Sequence, residues 1–103
     1  MNLPPGWVNP IQVVPGQVQM GIEAASLLPS RTDLSRHRLD AQRLLYRSQT
    51  DRHTAIQVTV DGVIWDGHHA VRVAAEDNAF VDVLVVSVIE AWSGLSILQL
   101  PVR

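Results

Sequence analysis

Residues 66–69 of this 103-residue chain read Asp-Gly-His-His, and the types and their order point to anion chemistry. A β-rich run ends at Asp66 and an alanine-rich run follows Gly67, so the pair falls at a strand-to-helix turn. The first turn of a helix offers free backbone N–H groups and the positive end of the macrodipole, which together attract an anion. Gly67 would let a ligand approach the backbone closely. Asp66 is either the helix N-cap or a carboxylate aimed across the mouth of the site. Histidines at such a turn, here His68 and His69, can donate hydrogen bonds to phosphate oxygens, and one could act as general acid or base near neutral pH. The alternative is that one histidine packs under the sheet and the other is merely exposed. Neighbouring helical residues point about 100° apart, so the pair does not share a face as metal ligands would. No third ligand stands at diagnostic spacing, and no metal site is expected. Nor does a nucleophile-elbow signature accompany any serine.

The charge of the chain is unevenly placed. The net charge is −2, yet residues 31–52 carry six of the eight arginines (Arg31, Arg36, Arg38, Arg43, Arg47 and Arg52) against three acids, giving that segment +3 and the rest −5. The segment is either a solvated helix face or a local field for phosphate or nucleic acid, the latter through Arg36, Arg43 and Arg47. There is no lysine and no cysteine. The lack of cysteine excludes disulfides, thiolate metal sites and cysteine nucleophiles. No apolar run approaches the roughly 20 residues that span a bilayer, so no membrane partner is expected. The start, MNLPPGWVNP, lacks a charged n-region and an apolar h-region. It fits a cytoplasmic chain or an excised domain of a larger secreted bacterial protein.

The elements that must position these residues follow from pattern. With 47% hydrophobic and 17% charged residues the chain suits one globular domain. Residues 1–18 hold four of the six prolines and read as an irregular arm, or a hairpin in which IQVV and QVQM flank Pro15-Gly16. A helix is expected over 35–48, capped by Ser35, stapled by Leu34 and Leu39, with an apolar stripe of Leu34, Leu39, Ala41, Leu44 and Leu45. After the polar stretch SQTDRH, Asp61-Gly62 joins AIQVTV to VIWD as a hairpin. A short helix over 67–77 buries Ala70, Val71 and Ala74 and stops at Asn78. FVDVLVVSVI suits a buried strand, and a last strand is expected at ILQL. Trp7, Trp65 and Trp92 read as packing residues, with Trp65 the one beside the turn. The order is that of an α+β domain.

The stretch AIQVTVDGVIWDGHHAVRVAA resembles the core motif of the ParB/sulfiredoxin superfamily: a strand, a turn, a strand ending in Asp-Gly, then a helix opening with basic residues. The DGHH form is similar to that of the superfamily's free serine kinases and several ParB-like nuclease domains. SLLPSRTDLSRHRLDAQRLL resembles the preceding loop and helix, so that the likeness covers about residues 20–88. It implies a small ParB/sulfiredoxin-like α+β domain over 19–103, with a tail from about 90: a mixed sheet of about four strands packed by two or three short helices. It also implies nucleotide or phosphate chemistry, with ATP, ADP or CTP and magnesium as ligands. Gly67, His68, Arg72 and Arg31 would bind phosphate, and His69, His68 and Asp66 would carry catalysis. Ala70 stands where the family has an arginine, and Arg72 is the next one along. The absent cysteine excludes the sulfiredoxin reaction.

Three functions fit that likeness. One is a nucleotide-binding domain with phosphotransfer or NTP-hydrolysing activity. Another is a toxin-type nuclease effector, and the third is a binding or assembly module that kept the fold without the chemistry. In the last, the arm and AWSGLSILQL would be partner surface, and strand edges at the termini would allow a dimer.

Overall fold

Alternation of valine with other residues sets the central strand and decides which face of the sheet is covered. The structure, a computed structural model, describes residues 3–48 and 56–103. Its elements are β1 (Val18–Glu23), α1 (Arg36–Ser48), β2 (Gln57–Thr59), β3 (Ile64–Asp66), α2 (His68–Glu76) and β4 (Phe80–Val86), with 3-10 turns at Ala24–Ser26 and Ile97–Gln99. The strands form one mixed sheet in the order β1-β4-β2-β3. β4 pairs antiparallel with β1 and parallel with β2, and β2 pairs antiparallel with β3. The domain is therefore a small α+β fold with a four-stranded mixed sheet and two helices. Among the described residues no helix is long and apolar enough to cross a membrane.

In β4, Val81, Val83 and Val85 are buried, whereas Phe80 is exposed and Asp82, Leu84 and Val86 are half-buried. This is a half-covered strand rather than one buried on both faces, because α2 packs on β4 from a single side. The parallel pairing of β4 with β2 follows from the route between them, a hairpin to β3 and then α2. That hairpin forms where Asp61-Gly62 marks it, but as a three-residue loop: the Gly62 N–H donates to the Thr59 carbonyl at 3.0 Å, Val60 and Asp61 make the corner, and Gly62 alone takes the positive φ. Thr59, itself buried, accepts the N–H groups of Asp61 and Val63 on its Oγ1 at 3.2 and 3.3 Å.

Of the two readings of the arm, irregular or hairpin, the irregular one describes it: Pro15-Gly16 makes a turn, the Gln17 N–H donating to the Val14 carbonyl at 3.2 Å, but IQVV and QVQM do not pair as strands. QVQM enters β1 and pairs with β4, whose hydrogen bonds continue back to Gly16 and Gln17. The arm instead docks on the β2–β3 turn. Trp7 Nε1 donates to the Ser26 carbonyl and Asn9 Nδ2 to the Val60 carbonyl, both at 2.8 Å. Gly62, at φ +80°, leaves no room for a side chain there: a Cβ would lie 2.8 Å from Asn9 Oδ1 and 3.0 Å from the Trp7 ring.

Helix α1 begins as expected, with the Arg38 N–H donating to Ser35 Oγ at 3.3 Å and with Leu34 and Leu39 both in the core. The rest of the anticipated stripe is not buried: Leu44 and Leu45 are 67% and 56% exposed, and Ala41 is exposed. The reason is that α1 packs chiefly on α2, not on the sheet. The polar stretch from Gln49 to His53, Arg52 included, lies outside the described residues.

Helix α2 ends as Asn78 predicts. Asn78 sits at φ +57°, with the Ala79 N–H donating to the Ala74 carbonyl and the Asn78 N–H to the Ala75 carbonyl, a Schellman closure. The tail differs from expectation: ILQL is a 3-10 turn. Its two buried residues, Ile97 and Leu100, are three apart, the spacing of that turn and not of a strand. Both belong to the core, so this part of the tail is not free partner surface. Beyond it the tail pairs with the loop before α1, the Leu34 N–H donating to the Pro101 carbonyl and the Arg103 N–H to that of Leu34.

Candidate functional site

The loop of residues 27–35 lies along the free edge of β3. The Leu28 N–H donates to the Gly62 carbonyl, the Ile64 N–H to that of Leu28, and Ser30 Oγ to that of Ile64 at 2.7 Å. This brings Ser30, Arg31 and Ser35 to the start of α2, where β3 delivers Asp66 and Gly67. Gly67 is the N-cap of α2 at φ +97°, and no side chain caps the helix. The Gly67 N–H donates to Asp66 Oδ1 at 3.0 Å. Asp66 is thus one residue before the cap, and its carboxylate folds back onto the Gly67 amide. The need for glycine is internal, since a Cβ at residue 67 would lie 3.0 Å from Ile56 Cγ1 and 3.1 Å from Ile56 Cα. The neighbour that approaches Gly67 closely is Ile56.

Both histidines are buried, at 4% and 8% exposure, so the alternative of one packed and one exposed histidine holds for its packed half only. The Ser30 N–H donates to His68 Nε2 and the Ser35 N–H to His69 Nε2, each at 3.0 Å. An Nε2 that accepts carries no proton, which makes both rings neutral Nδ1–H tautomers. Burial first, then the charges of Arg31 and His69, lower the His68 pKa to about 4 against an opposing pull from Asp66. For His69 the direction is the same, caused by burial, then Arg31, then Arg38. Neutral, occupied rings are poor phosphate cations and poor general acids at pH 7. Ser30 Oγ also lies 3.3 Å from His68 Nε2. It is not an activated nucleophile, because its hydroxyl donates to Ile64 and the Nε2 lone pair already takes the Ser30 N–H.

Between α1 and the start of α2 opens a cleft of about 360 Å³. Arg31, Arg38, Gln42, Trp65, Asp66 and residues 67–70 line it. Arg31 reaches Asp33 at 3.6 Å, whereas Arg38 pairs with no carboxylate among the described residues. Of the residues singled out in the sequence, Arg31, Asp66, Gly67, His68 and His69 therefore meet here.

Arg72 does not. Its guanidinium donates to Glu76 Oε2 at 3.1 Å and to the carbonyls of Ile97 and Leu100 at 3.2 and 2.9 Å. It ties the tail to α2. Arg43 likewise holds Glu76 through two bonds of 3.1 and 3.0 Å. Arg36 and Arg47 are exposed on α1. No group of three or more His, Asp or Glu side chains placed to hold a metal occurs among the described residues.

Pattern reading missed Ser30, Ser35 and Gln42 and counted Arg38 only as charge. The signal for Arg38 was its place in the first turn of a helix that faces the histidine turn. For the two serines there was none, because their backbones make the contact. The chain matches no protein-family model, no curated protein and no solved structure.

Proposed function

We propose that this domain binds a phosphate-bearing ligand, with a nucleotide as the class, in the cleft at the start of α2. The observation that carries this reading is the convergence of Arg31 and Arg38, from two different elements, on the uncapped N-terminus of α2. Two guanidinium groups and a helix start supply forked donors and positive potential for one phosphate group. The exposed indole of Trp65 on the same wall offers a face on which a base can stack. The likeness of DGHH to the ParB/sulfiredoxin box points the same way, and magnesium would enter with the phosphate oxygens.

Binding is favoured over phosphotransfer and over nucleic-acid cleavage because the two imidazoles are occupied by the Ser30 and Ser35 amides. Ala70, in place of the family arginine, agrees with that preference. The test is a thermal-shift series with ATP, ADP, CTP and GTP, with and without magnesium, on the wild type and on Arg38→Gln. A rise in melting temperature with one nucleotide, lost in Arg38→Gln, supports the reading. Wild-type melting temperatures that no nucleotide moves would overturn it.

A further inference from the structure

The loop that carries Arg31 is fastened to α2 by two bonds of one unusual kind. In each, a backbone N–H of the loop donates to a buried imidazole Nε2: Ser30 to His68 and Ser35 to His69. Such a bond exists only for a neutral ring. A proton on Nε2 sets N–H against N–H and leaves a buried charge without an acceptor. Beside each of these two points the chain is held by bonds that do not titrate, Leu28 to Gly62 and Ile64 and Ser30 Oγ to the Ile64 carbonyl at one, Leu34 to Pro101 and Arg103 at the other. We propose that His68 and His69 form an acid-released latch, in which protonation of the rings releases the Ser30 and Ser35 amides and loosens the loop at those two points while the sheet stays folded.

The groups around the rings set the direction of the effect. Arg31 faces them from the loop, itself paired with Asp33, and Arg38 faces them from α1. Asp66 at the end of β3 is the one acid that favours the charged form of His68. Glu76, with Arg43 and Arg72 bonded to it, lies at the far end of α2. The 3-10 turns that pack on α2 carry no titratable side chain, and Asp82 of β4 accepts the Gly21 N–H. Burial and the arginines prevail, so both rings titrate below the ordinary imidazole value of 6.5 while latched, His68 at about 4. Freed rings return toward 6.5 and bind more protons, so the latch is at full strength above that pH and weakens as pH falls toward 4.

Amide hydrogen exchange, corrected for intrinsic rates, tests this on the whole chain from about pH 7 to about pH 4.5, on wild type and on His68→Gln. The glutamine keeps an acceptor near the Nε2 position and cannot titrate. The expected result is a loss of protection of about tenfold or more at Ser30 and Ser35 in wild type, with Val83 and Val85 unchanged and Ser30 protection retained in His68→Gln. Protection that holds at both serines, that falls only together with β4, or that falls equally in His68→Gln would overturn the latch. Ring nitrogen chemical shifts of the wild type give a second reading that needs no variant. Nδ1–H tautomers at neutral pH for both residues are required, and an Nε2–H tautomer in either would overturn it.

Discussion

The two ends of α2 are built from similar residues and finished in opposite ways. At the C-terminal end Glu76 accepts bonds from Arg43 and Arg72, Arg72 also donates to the Ile97 and Leu100 carbonyls, and Asn78 closes the helix. Burial works against ionisation of Glu76, but the bonds from Arg43 and Arg72, then their charges, hold its carboxyl below the usual range. At the N-terminal end no side chain caps the helix, two histidines spend their acceptors on the loop, and Arg38 is left without a carboxylate among the described residues. One end satisfies its charges within the fold, and the other leaves Arg38 on a cleft with no carboxylate paired to it among the described residues. The lesson is that an arginine's place in the sequence says little until its acceptors are known.

Three substitutions break or sharpen that contrast. The largest effect is expected for Gly67→Ala, which forces a left-handed backbone on a residue with a Cβ and drives it against Ile56. Denaturant unfolding should show a loss of about 3–4 kcal/mol, and a loss below about 1 kcal/mol would mean that the turn relaxes easily. Arg72→Met removes a half-buried guanidinium from the closed end while keeping its apolar stem. It should cost about 2 kcal/mol and raise the titration of Glu76 toward the ordinary carboxylate value, followed by carboxyl chemical shifts. The smallest effect is expected for Arg38→Gln at the open end, with stability within about 0.5 kcal/mol of wild type. A large loss there would make Arg38 structural and the ends alike.

Much of the frame was legible because local signals agreed. Gly62 marked the hairpin, though the corner falls at Val60-Asp61, Ser35 with Leu34 and Leu39 set the start of α1, and Asn78 set the end of α2. The turn itself was legible as a strand-to-helix junction, and Arg31 as a neighbour of it. The work of the histidines was not, because their partners are backbone amides 38 and 34 residues away, which leave no mark on residue type. Arg72 was misplaced for the same reason, two of its acceptors being carbonyls of the tail. ILQL misled because a short apolar run fits a 3-10 turn as well as a strand.

The irregular pairing of β1 has a consequence for how the protein behaves when crowded. β1 is an outer strand of the sheet, and its register with β4 shifts between Gln19 and Ile22, where the Gly21 N–H is caught by the Asp82 carboxylate instead of a ladder carbonyl. A bulge of this kind bends and twists the strand. The edge left to solvent is therefore a poor template for another extended chain, and one glycine and one carboxylate are enough to spoil it.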